Sequence, residues 1–277
     1  YPSYKEGLEM TGNSENISKT LSEVYEHSWI VLLGSPSRLG IVEALIGEGI
    51  EIELLILPES RRTSFEEIFS LLQETVLDCR FVSKDSFSNL SSDLSGCAIL
   101  SVGYPYLLEA ETIKRHPICL NVHPTLLPKY RGPTTGAFVI RNNEKFAGST
   151  VHILEDDPDT GPVICQSKVE LTRFDTVKSM QEKVYALEPQ LIVDAFRKLR
   201  TGLIPEPQDD KMASMYARKR VPEDSEIDPN QSLSLLYDEI RSCDPDTYPA
   251  FFYVEGEKVC IRLWRPDRGE DESDSML

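Results

Sequence analysis

Apolar residues in this chain fall into short unbroken runs separated by stretches of helical spacing. Residues 29–33 are apolar throughout and end at Gly34; Ser35, Pro36 and Ser37 follow, and then Ile41, Ala44 and Leu45 at helical spacing. That is a strand, a turn and a helix. Residues 52–57 read as a second strand, Phe65, Ile68, Phe69, Leu72 and Val76 mark a helix, and residues 79–82 read as a third strand. Residues 97–102 give a fourth strand, residues 107–115 a helix, and residues 118–122 a fifth strand that runs directly into His123 and Pro124. Strands that are apolar on both faces and alternate with helices predict a parallel sheet covered on both sides.

Further on, the pattern predicts a helix over residues 136–142 and strands over residues 150–154 and 162–169, with Asp159, Thr160 and Gly161 in the loop between them. Residues 174–199 form a long amphipathic segment in which Pro189 is expected to mark a kink or break. The fold class is therefore α/β: a Rossmann-like, mostly parallel sheet with helices on both faces. A small C-terminal α+β subdomain, partly OB-like, follows it. The expected boundaries are an N-terminal lead-in over 1–27, a catalytic domain over 28–200 and a linker over 201–217. A small subdomain over 218–268 and an acidic tail over 269–277 complete the chain. The linker is placed by Gly202, Pro205 and Pro207, and the subdomain by a helix over 233–241 and two strands over 250–254 and 259–264.

Composition narrows the function classes. The chain has 277 residues and a formal net charge of -17. Residues 221–277 hold 15 acidic against 5 basic residues, the opposite of the clustered Lys and Arg that a phosphate backbone requires. The short run Lys211, Arg218, Lys219 and Arg220 reads as a solvated face or linker. No apolar run approaches the roughly 20 residues of a membrane-spanning helix. The six cysteines lie without a CxxC pair, several in strand-like runs, which points to a reducing, cytoplasmic location and no zinc site. The chain opens on Tyr1, which leaves an earlier targeting segment open.

The chemistry concentrates at the end of the fifth strand. Side chains alternate along a strand, so Asn121 and His123 point the same way at the carboxyl edge of a parallel sheet, where open α/β sheets keep their ligands. An amide donor beside an imidazole suits acyl transfer: Asn hydrogen-bonds an oxygen gaining charge, and His moves protons near neutral pH. A carboxylate to orient the imidazole is available among Glu155, Asp156, Asp157 and Asp159, and spacing alone leaves open which one turns inward. The turn Gly34-Ser35-Pro36-Ser37 offers a helix N-terminus for a substrate phosphate through Ser35, but it is not a full dinucleotide fingerprint. Lys129, Arg131 and Arg141 are candidate phosphate ligands.

The run His123-Pro124-Thr125-Leu126-Leu127-Pro128-Lys129-Tyr130-Arg131-Gly132, with Asn121 upstream and Asp159-Thr160-Gly161 beyond a Val151-His152-Ile153 strand, resembles the signature of the folate-dependent formyltransferases. That family includes glycinamide ribonucleotide, methionyl-tRNA and sugar-nucleotide formyltransferases. The resemblance spans residues 29–199 and is densest over 101–166. It implies Asn121, His123 and Asp159 as catalytic residues, 10-formyltetrahydrofolate as donor and a primary amine as acceptor. Transfer is then direct, through a tetrahedral intermediate, with no metal. It also implies a pterin pocket built from the loop after the fourth strand and the loop ahead of Asp159: Gly103, Tyr104, Leu107 and Leu108, with Ile153, Asp156 and Asp157.

Residues 218–261 resemble the C-terminal region of the methionyl-tRNA and amino-sugar enzymes, but the stretch is short and acidic. The expected acceptor is the amine of a nucleotide-linked amino sugar. Methionyl-tRNA and a free amine such as hydroxyornithine are the alternatives, and a hydrolase of 10-formyltetrahydrofolate is the reading from another class. The expected partners are small molecules rather than nucleic acid or membrane, and a homodimer is left open.

Overall fold

The computed structural model describes residues 21–76 and 78–266. Most of the expected lead-in and the acidic tail lie outside these residues. A seven-stranded sheet has the order β3-β2-β1-β4-β5-β6-β7. Its strands are β1 (Trp29–Leu33), β2 (Ile52–Pro58), β3 (Cys79–Val82), β4 (Ala98–Val102), β5 (Cys119–His123), β6 (Phe146–Ile153) and β7 (Val163–Glu170). The first five run parallel; β6 is antiparallel to β5, and β7, antiparallel to β6, returns to the direction of the first five.

The alternation of side chains along β1 explains why its run is apolar throughout. Trp29, Val31 and Leu33 enter one core with α1 (Gly40–Gly47), α2 (Arg62–Thr75) and α6 (Val177–Arg200). Ile30 and Leu32 enter the core on the other face, with Phe87 of α3 (Lys84–Asp93) and Ile113 of α4 (Ala110–Arg115). The sheet is buried on both sides, and every residue of β1 has a core to face. Leu21 and Val24, at the end of the expected lead-in, are buried in the first core, and Val24 O accepts a hydrogen bond from Trp29 Nε1.

Three expectations need correction. Helix α6 runs unbroken through Pro189, whose ring faces Gly40 at a distance that leaves little room for a side chain there. Helix α4 begins at Ala110, so Leu107 and Leu108 belong to the loop after β4. The segment over 201–217, expected as a linker, is a docked strap. Glu206 pairs through both backbone groups with Val163, and Ser214 O and Arg131 O accept from Arg131 N and Tyr216 N. Tyr216 stacks on Phe138 of α5 (Gly136–Arg141).

The C-terminal part consists of α7 (Leu233–Arg241) and the hairpin β8 (Ala250–Val254) and β9 (Glu257–Ile261) around a small core of Ile227, Leu236, Ile240 and Ala250. Arg241, buried on α7, ties it to the main domain by donating to Asp175 O at 2.7 Å. Among the described residues no helix is long and apolar enough to cross a membrane.

Candidate active site

Sheet order positions the site. The chain reverses its direction of strand addition between β1 and β4, and a crevice opens at the carboxyl ends of strands at such a point. The backbones meet closely there: Gly34 N donates to Val102 O, and a Cβ on Gly34 would lie 1.9 Å from Gly103 O. Next along this edge, β5 delivers Asn121 and His123.

Pairing of β5 with β6 sets Asn121 directly opposite His152 and His123 opposite Thr150. His152 is fully buried and sits at a register shift between β6 and β7, the kind of local irregularity that re-aims a side chain. Its Nδ1 lies 2.8 Å from Ile153 O, so the proton belongs on Nδ1 and Nε2 is left as an acceptor. Asn121 Nδ2 donates to that nitrogen at 3.1 Å, which fixes which end of the amide is the donor. Sequence reasoning used His152 only as part of a motif. Its role depends on strand register, which no local spacing reveals.

Of the four carboxylates in the β6–β7 loop, Asp159 turns inward. Its Oδ1 lies 3.4 Å from both His123 Nδ1 and Asn121 Nδ2, and its Oδ2 accepts from Gly132 N at 2.8 Å. Glu155, Asp156 and Asp157 are exposed. The backbone makes this possible at two places. Asp159 itself is left-handed at φ 59°, and Gly161 lies so close to Ile153 O that a Cβ would sit 1.9 Å from it. Gly132, at φ 101°, is equally constrained, because a Cβ would meet Tyr216 O of the strap at 2.2 Å.

Electrostatics give the two central groups different states. Burial opposes charge on Asp159, but the attraction of His123 once protonated and the Gly132 amide outweigh it and hold the carboxyl well below the ordinary aspartate range. Burial lowers the His123 pKa below the ordinary histidine value, against the opposing pull of Asp159 and of Tyr130 O. His123 Nε2 lies 2.9 Å from Tyr130 O and must donate to it, so neutral His123 keeps its lone pair on Nδ1, facing an ionised Asp159 across 3.4 Å. The gap is too wide for a strong direct hydrogen bond and marks a place for one incoming proton.

The residues expected for ligands are distributed unevenly. Tyr104, Leu107 and Leu108 line a cavity of about 240 Å³ with Phe87, Tyr106 and Thr112. Tyr104 Oη is buried with no hydrogen-bond partner among the described residues. Ile153 instead packs into the sheet core, Gly103 lies against Arg38, and Asp157 faces a separate cleft with Glu155, Arg131, Gln208 and Asp210. Asp156 stays exposed in its loop. Arg131 is buried, bonded to Gln208 Oε1 and Asp210, and Lys129 pairs with Glu144. Arg141 is paired with Glu239. Ser35 is half-buried at the turn after β1, its hydroxyl 2.7 Å from that of Ser37.

The formyl transferase family profile matches residues 60–196. The chain is 27% identical to the methionyl-tRNA formyltransferase of Thermodesulfovibrio yellowstonii over 84% of this chain and 79% of that one. The methionyl-tRNA formyltransferase of Kosmotoga olearia is 28% identical over 62% of this chain and only 55% of its own length. Among solved structures, a 4-N formyltransferase from Francisella tularensis superposes with a TM-score of 0.72 at 20% identity, covering 86% of this chain and 98% of that one. The match over residues 60–196 places that part of the chain among the formyl transferases, and the shared fold agrees with it.

Proposed function

We propose that the protein transfers the formyl group of 10-formyltetrahydrofolate to the primary amine of a nucleotide-linked amino sugar. The observation that carries this reading is the meeting of Asn121, His123 and Asp159 at one strand edge, with an unprotonated imidazole nitrogen facing an ionised carboxylate. The donor supplies an electrophilic formyl carbon on a nitrogen able to leave. The cavity beside Tyr104 offers a pterin both kinds of contact: Phe87, Tyr104, Tyr106, Leu107 and Leu108 for its ring faces, and Lys84, Asp85, Glu109 and the Tyr104 hydroxyl for its polar edges.

His123 Nδ1 takes up the proton that the attacking amine must lose, directly or through water. The resulting imidazolium is stabilised by Asp159, whose charge already faces it, and the same proton goes on to the folate nitrogen as its bond to the formyl carbon breaks, so that tetrahydrofolate leaves neutral at that nitrogen. Asn121 holds one amide hydrogen against His152, and its long 3.4 Å contact with Asp159 is the one released to an oxygen gaining negative charge. The same hydrogen then serves as a donor preorganised by its neighbours.

The acceptor is argued from charge. The net charge is -17, and Arg131, Lys129 and Arg141 near the motif all have acidic partners. Such a surface disfavours a long polyanion. At the turn after β1, the Ser35 and Ser37 hydroxyls and Arg61, whose Nη1 donates to Gly34 O at 2.6 Å, supply the hydroxyl and guanidinium donors that phosphates accept from. One solved neighbour is a sugar N-formyltransferase from Shewanella, with a TM-score of 0.69 at 18% identity over 85% of this chain and 97% of that one. The sequence relatives favour a second reading, with methionyl-tRNA as acceptor.

The test follows tetrahydrofolate release from 10-formyltetrahydrofolate while amino-sugar nucleotides, hydroxyornithine and methionyl-tRNA are added one at a time. Release that depends on an amino-sugar nucleotide supports the proposal. Release only with charged tRNA replaces the acceptor, and release without any acceptor identifies a hydrolase.

A further inference from the structure

Three buried side chains outside this constellation form a network that ends on the backbone of His123. Arg38, in the turn after β1, and Glu188, in the middle of α6, are 3% and 0% exposed. They pair at two points, Nε to Oε2 and Nη2 to Oε1, each at 2.6 Å. Arg38 Nη2 also donates to Val122 O at 3.0 Å. Ser149 of β6, fully buried, has its hydroxyl 2.9 Å from Glu188 Oε1 and 2.9 Å from His123 O, and its single proton is shared between those two acceptors.

A buried ion pair adds little to stability, because the cost of desolvating two charges offsets their attraction. Its placement is more informative. The ladder between β4 and β5 ends at the Val102 and Val122 pair, so the Val122 carbonyl lies where bonding to β4 stops, while His123, still paired with Thr150 of β6, has a carbonyl that also accepts from Thr125 N at 2.9 Å. Those two carbonyls belong to the peptide planes on either side of the His123 Cα, and the planes together set the direction of its Cα–Cβ bond. Three separate elements, the β1 turn, α6 and β6, converge on them.

We propose that Arg38, Glu188 and Ser149 are positioning residues for His123. By pinning both flanking peptides they hold Nε2 on Tyr130 O and aim Nδ1 at Asp159. None of the three is needed to touch either substrate. The inference rests on the reading of His123 as the group that takes the amine's proton. A tilt of the imidazole that moves Nδ1 by about 1 Å is enough to lower turnover by up to about 100-fold without weakening binding.

The test uses two kinds of variant in the full chain. Ser149→Ala removes only the hydroxyl, and Ser149→Cys restores a weaker donor of similar size. The double variant Arg38→Met with Glu188→Leu removes both charges together, so that neither is stranded. The readouts are steady-state kinetics and nitrogen-15 NMR of labelled histidines, of which the chain has four. His123 is assigned by its loss in His123→Gln.

The expected result is a kcat lowered about 10- to 100-fold in Ser149→Ala and in the double variant, with KM for both substrates within about twofold. Ser149→Cys falls between Ala and wild type. Exchange of the His123 Nε2 proton becomes at least about tenfold faster in the same order, because that hydrogen bond is no longer held. Folded variants with unchanged kcat and unchanged His123 resonances overturn the proposal, as does a raised KM at constant kcat. If the double variant does not fold, the Ser149 series decides. If wild-type protein transfers formyl to no amine, the functional reading fails and the NMR series still decides the positioning role.

Discussion

At the scale of single residues, the site depends on His123 and Asp159 holding opposite preferences for a proton. His123→Ala and Asp159→Asn are expected to lower formyl transfer by about 10²- to 10⁴-fold, with His123→Ala melting close to wild type and Asp159→Asn below it at neutral pH, measured by tetrahydrofolate release and thermal unfolding. The pH dependence follows from the directions of the shifts. His123 must be neutral to accept a proton, and burial lowers its pKa, so the acidic limb of kcat is expected below the ordinary histidine value of about 6.5. A limb above that value would assign the base elsewhere. Asp159 titrates lower in the folded than in the unfolded chain. Its contribution to stability is therefore complete above the ordinary aspartate range and disappears as pH falls through and below that range. The gap in melting temperature between wild type and Asp159→Asn should accordingly narrow progressively as pH falls below about 5. Asn121 and His123 were legible in sequence because a strand's period of two is a local rule. Asp159 was legible only through the resemblance of Asp159-Thr160-Gly161 to the family signature and not through spacing, since its inward turn depends on a left-handed backbone and on the amide of Gly132, 27 residues away.

At the scale of elements, the β6–β7 loop is held from outside by the strap over 206–216. Gln208 Nε2 donates to Asp159 O and Gly161 O at 3.0 and 2.8 Å, while its Oε1 accepts from Arg131. Gln208→Ala is expected to lower kcat by about tenfold and to cost about 1–3 kcal/mol by leaving Arg131 and the loop carbonyls short of partners, checked by kinetics and urea unfolding. Gly161→Ala should be more damaging than either, because its Cβ would sit 1.9 Å from Ile153 O and only a displaced loop relieves that contact. Soluble Gly161→Ala protein with wild-type activity would show that the loop position is unimportant. Gly202, Pro205 and Pro207 are turn-forming residues and predict a linker, and composition cannot report that a segment docks. Pro189 gave the opposite error: a helix-breaking residue sits inside a continuous helix whose neighbours α1 and β6 hold it on the sheet.

At the scale of the whole molecule, a net charge of -17 and the pairing of Arg218 with Asp224 and of Arg173 with Asp238 leave little surface for a polyanion. The protein is expected to leave the mobility of methionyl-tRNA unchanged at physiological salt in a gel-shift assay, and retardation there would revive the tRNA reading. The alternation of strand and helix, the burial of the sheet on both faces and the strand that carries Asn121 and His123 were determined by sequence alone. Each rests on periodicity over fewer than about ten residues, where backbone geometry dictates which side chains share a face. Tertiary structure decided which of four neighbouring carboxylates reaches the imidazole, that His152 stands opposite Asn121, and that Lys129 and Arg131 already have partners. These outcomes depend on strand register and on groups far apart in the chain, brought together only when both faces of the sheet are closed.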